Sequence, residues 1–237
     1  MTYLLLALGL SAGILTTIAG AGGGMLLVLS LSLVLGPKAA LSTSVPALFV
    51  GNVHRAFSYR ARIERRAAVP IVRGALPGSL LGGAFAVSVP SVALEVLLAV
   101  MTALLVLRAF RLFTWTPPAS ALTPSGFFIG ALSATAGGAG FLVSGVLLSL
   151  GLTGEPYVAT SAAIALSVHA GRIVSYAATG MFSGEVLRHA AITTVAVVFG
   201  NALGGRARRL FEGEATRRIE YGTLVVCGVL AVLGIVH

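Results

Sequence analysis

The 237-residue chain is 57% apolar and only 10% charged, and its 16 Lys+Arg against 7 acidic residues give a formal net charge of +9. With a mean hydropathy of +1.00, this balance excludes a water-soluble domain; the basic residues stand in short clusters between long apolar runs, as in cytoplasmic loops of a polytopic membrane protein, and not as in a nucleic-acid surface. The single cysteine, Cys227, excludes an internal disulfide and any cysteine-based metal site.

The first apolar run covers 2–35. It lacks the basic leader and cleavage site of a signal peptide and reads as part of the mature protein. As one helix it would be about 50 Å long, against about 30 Å of hydrocarbon. The cluster Gly20-Ala21-Gly22-Gly23-Gly24 near its middle permits positive φ and weakens a helix interior, so the run reads as a hairpin of two half-helices. Further runs follow at 39–58, 67–89 and 92–107. A linker with Trp115 and Pro117-Pro118 leads to a second long run, 124–152, broken at Gly137-Gly138-Ala139-Gly140, and then to 157–178, 185–203 and 219–236.

The two halves repeat. At a constant spacing of 117 residues, Gly13 falls on Gly130, Thr43-Ser44 on Thr160-Ser161, Arg55 on Arg172 and Ser58-Tyr59 on Ser175-Tyr176. If both long runs return to their starting side, eleven basic residues (in 60–66, 108–111 and 206–218) share one side, and only Lys38 and Arg188 face the other. That asymmetry makes the first side cytoplasmic. Each half then makes an odd number of net crossings, so the second lies upside down. The fold expected is an all-α integral membrane protein of two inverted-topology repeats. Each would be a glycine-broken re-entrant (or short double-span) hairpin plus three transmembrane helices. The first repeat is 1–112, the linker 113–122 and the second repeat 123–237. Residues 180–184 would lie outside.

Inverted repeats place substrate near the midplane, where broken helices converge, and helix N-termini bind anions. The half-helices 25–35 and 141–152 would begin at the glycine clusters, making Gly20, Gly22, Gly23, Gly24, Gly137, Gly138 and Gly140 candidate substrate-binding residues; the alternative is close helix packing. Thr43, Ser44, Thr160 and Ser161, read as opening the helix after each hairpin, would bind substrate oxygens or the backbone behind them. Arg172 is a candidate because an ionisable side chain inside a membrane is a functional candidate by default; the alternative is snorkelling to the outer surface. Arg55, nearer its helix end, reads as an interfacial anchor. His169, and Asn52 at the matching position, complete the set, with His169 a candidate proton carrier. Glu155 and Glu185 suit helix N-termini. Neither a nucleotide-binding loop, a metal cluster nor a nucleophile–base–acid arrangement is present, so no enzyme activity and no cofactor are expected.

The Gly20–Gly24 turn, the helix start ending in Thr43-Ser44, the basic loop after Tyr59 and the Gly78…Gly82-Gly83 run, repeated as Gly200…Gly204-Gly205, resemble the TauE/SafE-type sulfite exporters, also called TSUP transporters, over essentially the whole chain. Leu29 stands near where that family often has a proline. The resemblance implies movement of sulfite, sulfonates or related small organic anions across the bacterial cytoplasmic membrane, often as export. The partners expected are a small anionic substrate, the lipid bilayer and a coupling ion, proton or sodium, with no nucleic acid. A passive anion channel and a membrane scaffold without transport are the alternatives.

Overall fold

A computed structural model describes residues 1–19, 22–109, 117–208 and 214–236; the expectations for Gly20, Arg111, Trp115, Arg209 and part of the linker lie outside the described residues. Among these the chain forms ten α-helices and no strand. They are α1 (Thr2–Ala19), α2 (Gly23–Leu35), α3 (Pro37–Ser58), α4 (Arg65–Ala86), α5 (Ser91–Ala109), α6 (Leu122–Ala136), α7 (Ala139–Ser149), α8 (Gly154–Ala178), α9 (Gly184–Arg208) and α10 (Glu214–Val236). The helices α4, α8 and α9 are each long and apolar enough to cross a membrane, and shorter apolar helices accompany them. Large apolar side chains such as Leu81, Phe85, Phe128 and Phe199 face outward. In water that surface would be an aggregation liability, whereas in lipid it is ordinary. The chain is a multi-pass membrane protein.

Each long apolar run is two helices, and the backbone shows why. Gly22 has φ +92° before α2, and Gly137 and Gly138 have φ +80° and +78° before α7, a region that L side chains rarely adopt. The expected helix starts after each hairpin need correcting. Gly36, at φ +79°, hands over to Pro37 at the head of α3, where proline costs no hydrogen bond, and α8 begins at Gly154. Thr43-Ser44 and Thr160-Ser161 therefore sit in the second turn of their helices.

The glycine runs set the helix packing. A Cβ at Gly82 would lie 2.7 Å from Ala131 Cα, and one at Gly78 2.9 Å from the Phe127 carbonyl carbon. These glycines let α4 lie backbone-to-backbone on α6. Contacts advance together along the two helices, Gly74 on Thr123, Gly78 on Phe127 and Gly82 on Ala131, so α4 and α6 run in the same direction. So do α4 and α8, with Ser79 against Gly171 and Gly83 against Ser175. On the far side, Gly9 meets Ala196 and Gly13 meets Gly200, which sets α1 parallel to α9. Lys38 Nζ, at the start of α3, donates to the Val87 carbonyl at the end of α4 over 2.8 Å; α3 and α4 are therefore antiparallel.

Candidate functional site

Where the two glycine turns approach α3 and α8, the helices leave a cavity. The first half lines it with Thr16 of α1, Gly22, Gly24 and Met25 at the head of α2, and Leu48, Asn52 and Arg55 of α3. The second half adds Gly138, Ala139 and Gly140 at the head of α7, and Ser161, Ala165, His169 and Arg172 of α8. Steps of three and four residues put these α3 and α8 side chains on one face of each helix. Leu48, Asn52 and Arg55 match Ala165, His169 and Arg172 at the spacing of 117.

The two arginines dominate the chemistry. Arg172 is fully buried and Arg55 nearly so. Snorkelling is thereby excluded for Arg172, and the expectation that Arg55 is an interfacial anchor is wrong. Its distance from the helix end misled, because its side chain turns inward: Nη1 donates to the Thr16 carbonyl at 3.2 Å and Nη2 to Asn52 Oδ1 at 2.7 Å. Arg172 gives Nε and Nη2 to the Tyr176 hydroxyl at 3.4 and 3.3 Å, leaving Nη1 without a partner. His169 Nδ1 is also buried without a partner. No carboxylate is found among the described lining residues. Burying the Arg172 guanidinium with Nη1 unbonded is costly, and a bound anion would supply the missing partner.

The helix ends add to this. Neither Gly22 nor Gly138 offers a side-chain cap to the helix it precedes. The first intrahelical bonds are Leu26 N to Gly22 O and Leu142 N to Gly138 O, so the N–H groups of Gly24, Met25, Ala139 and Gly140 lie in the uncapped first turns that line the cavity.

Not every candidate converges here. Gly23 lies outside the lining, and a Cβ on it would press on Thr16 Oγ1 and stand 2.5 Å from Thr16 N. It lets α2 pack against α1. Gly140 has open space where its Cβ would be. Gly137 packs near Val28 and Leu41. Thr43, Ser44 and Thr160 are also outside: Thr43 Oγ1 is buried without a partner, Ser44 donates to the Leu41 carbonyl, and Thr160 Oγ1 accepts from Glu64 N at 2.9 Å. Ser161 lines the cavity but donates to the Val158 carbonyl. Thr16 was missed from sequence; the signal was available, since its match at 117 residues is another hydroxyl, Ser133.

A family model described as sulfite exporter TauE/SafE matches residues 5–231. The chain belongs to the TauE/SafE family. No curated protein and no solved structure matches it. That family is one of membrane transporters, and a cavity lined by two arginines, with no carboxylate among its described lining residues, agrees with a small anionic substrate.

Proposed function

We propose that this chain is a secondary transporter, working as an exporter in the bacterial cytoplasmic membrane, for sulfite or a small organosulfonate. The observation that carries the reading is the pairing of Arg55 and Arg172, one from each half, in a single buried cavity with two uncapped helix N-termini. Arginine forks suit the oxygens of a sulfur oxyanion, and the helix ends favour negative charge.

Alternating access would use two inverted repeats, 1–112 and 123–237. Supporting this, α3 runs antiparallel to α4, and α4 runs parallel to α8, so α3 and its counterpart α8 point in opposite directions. The ion pair Arg62–Glu155 and the Glu64–Thr160 bond join the end of α3 to the start of α8, and both would face the cytoplasm. Single cysteines placed in 60–66 and 214–218 should react from the cytoplasmic side, and one in 180–184 from outside. Labelling of the first two from opposite sides would end the inverted arrangement.

The substrate class is tested by thermal unfolding of the purified protein. Sulfite and small sulfonates should raise its Tm in a saturable manner, because a ligand that binds only the folded state stabilises it by mass action. Choline, a cation, should leave Tm unchanged. A shift no larger with sulfite than with chloride at equal ionic strength would refute the sulfur-anion reading. Coupling to a proton or sodium would then appear as a dependence of flux on that ion's gradient, which a passive channel would not use to accumulate substrate.

A further inference from the structure

Each arginine of the cavity has a polar residue three positions before it, on the same face of its helix. In α3 that residue is Asn52, and in α8 it is His169. Asn52 is engaged at both ends of its amide. Its Nδ2 donates to the Leu48 carbonyl at 2.7 Å, and its Oδ1 accepts from Arg55 Nη2 at 2.7 Å. With Nη1 on the Thr16 carbonyl, both terminal nitrogens of Arg55 already have protein partners.

The α8 pair has the same spacing and is left open. An imidazole has no amide oxygen with which to hold the arginine as Asn52 does. Arg172 places Nε and Nη2 on the Tyr176 hydroxyl, and its Nη1 has no partner. His169 Nδ1 has none either, although both residues are buried and line the cavity. Buried polar atoms left unbonded are costly, so two of them within one helical turn mark a place where a ligand completes the bonding. The uncapped first turn of α7 borders this part of α8, since Ala139 and Val168 belong to one buried cluster.

We propose that the substrate anion is gripped from the second half, by Arg172 Nη1 and His169 Nδ1, and that the residue three before each arginine decides which arginine is free to bind. His169 is then the specificity-determining residue of the site, and Asn52 is a positioning residue that holds Arg55 as a fixed charge. The ligand this suits is an oxyanion with at least two unprotonated oxygens on one centre, one for each nitrogen. Such a ligand draws the imidazole proton onto Nδ1. The proposal rests on the anion-transporter reading above and says where in the cavity the anion is held.

The test exchanges the two residues one at a time. Affinity is read from the concentration dependence of Tm of the purified protein with sulfite, methanesulfonate or acetate, at constant ionic strength. H169N puts at 169 the side chain that holds Arg55 at the matching position, so its amide oxygen should claim an Arg172 nitrogen while the Nδ1 donor is lost. Affinity should fall about tenfold or more, equivalent to about 1.4 kcal/mol, the scale of one hydrogen bond to a charged group, with no loss of Tm in the absence of ligand. H169A lacks the donor but offers Arg172 no oxygen, so it should lose affinity by a smaller factor than H169N; a merely structural histidine would give the opposite order. N52H releases Arg55 Nη2 and should bind at least as tightly as the native protein. Unchanged affinity in H169N, a larger loss in H169A than in H169N, or a loss in N52H equal to that in H169N would overturn the proposal. If acetate stabilises the native protein while sulfite and methanesulfonate do not, the sulfur-anion reading fails, and the same variants titrated with acetate still decide the proposal. A native protein stabilised by none of the three anions overturns both.

Discussion

Arg172→Met should abolish sulfite binding and transport while leaving the protein folded and at least as stable as the native form. The guanidinium is fully buried, its Nη1 has no partner, and no carboxylate stands among the described lining residues. A buried cation without a counter-ion is a cost to the empty protein, and an apolar residue of similar volume relieves it. In the complex the same group is the one that faces the anion. Removing one partner of a buried, hydrogen-bonded charge pair typically costs about 2–5 kcal/mol, so affinity should fall by about 30-fold to a few thousand-fold. Arg172→Lys should not rescue it, because an ammonium cannot hold the Tyr176 hydroxyl and an oxyanion with one planar fork. Thermal unfolding and sulfite-induced stabilisation, measured on the same samples, separate the two effects. Loss of the folded state in Arg172→Met would show that the arginine is structural. Arg55→Met should lose binding too, with a larger folding cost, since Arg55 also ties α3 to the Thr16 carbonyl.

Gly140→Leu should likewise stop transport without unfolding the protein. Gly140 lines the cavity and nothing lies within 4 Å of the position its Cβ would take, so a leucine has room there and would stand beside the helix N-terminus. Leaving glycine in a helix also gains up to about 1 kcal/mol of propensity. Gly23→Ala, at the spacing of 117 from Gly140, should do the reverse. Its Cβ would stand 2.5 Å from Thr16 N and 2.8 Å from Ala12 O, both rigid backbone atoms, and overpacking of that kind costs about 1–3 kcal/mol. A lowered Tm with sulfite stabilisation retained is the outcome for Gly23→Ala; an unchanged Tm with stabilisation lost is the outcome for Gly140→Leu. The same phenotype in both would mean that the two glycines play one role.

That contrast marks what the sequence could and could not reveal. Glycine clusters are visible as breaks, and the helices α2 and α7 begin within two residues of the starts read from them, at Gly23 and Ala139. Which glycine in a cluster needs positive φ, which faces a neighbour and which faces space depends on the rotation of one helix against another, and composition does not carry that. Gly22 and Gly138 turn the chain, Gly23 packs on Thr16 and Gly140 opens on the cavity. The spacing of 117 marked Arg55 and Arg172 as equivalents, and that equivalence was a better guide to Arg55 than its distance from a helix end. Depth along a helix says nothing about a long side chain that folds back to a carbonyl on another helix, as Arg55 does onto Thr16. The hydroxyl pairs mislead for a related reason. Thr160 has the residue type of a binding group, but the backbone N–H of Glu64, almost a hundred residues away in sequence, reaches it first.

On the proposed reading, the cavity built by both halves carries a sulfur oxyanion across the bilayer. This is met most directly by sulfite flux into proteoliposomes of the purified protein at alkaline pH, where the substrate stays ionised, with Arg172→Met in parallel. Saturable, protein-dependent flux is expected, inhibited by a small sulfonate and absent in Arg172→Met. Flux equal to that of protein-free vesicles, or native flux undiminished in Arg172→Met, would contradict it.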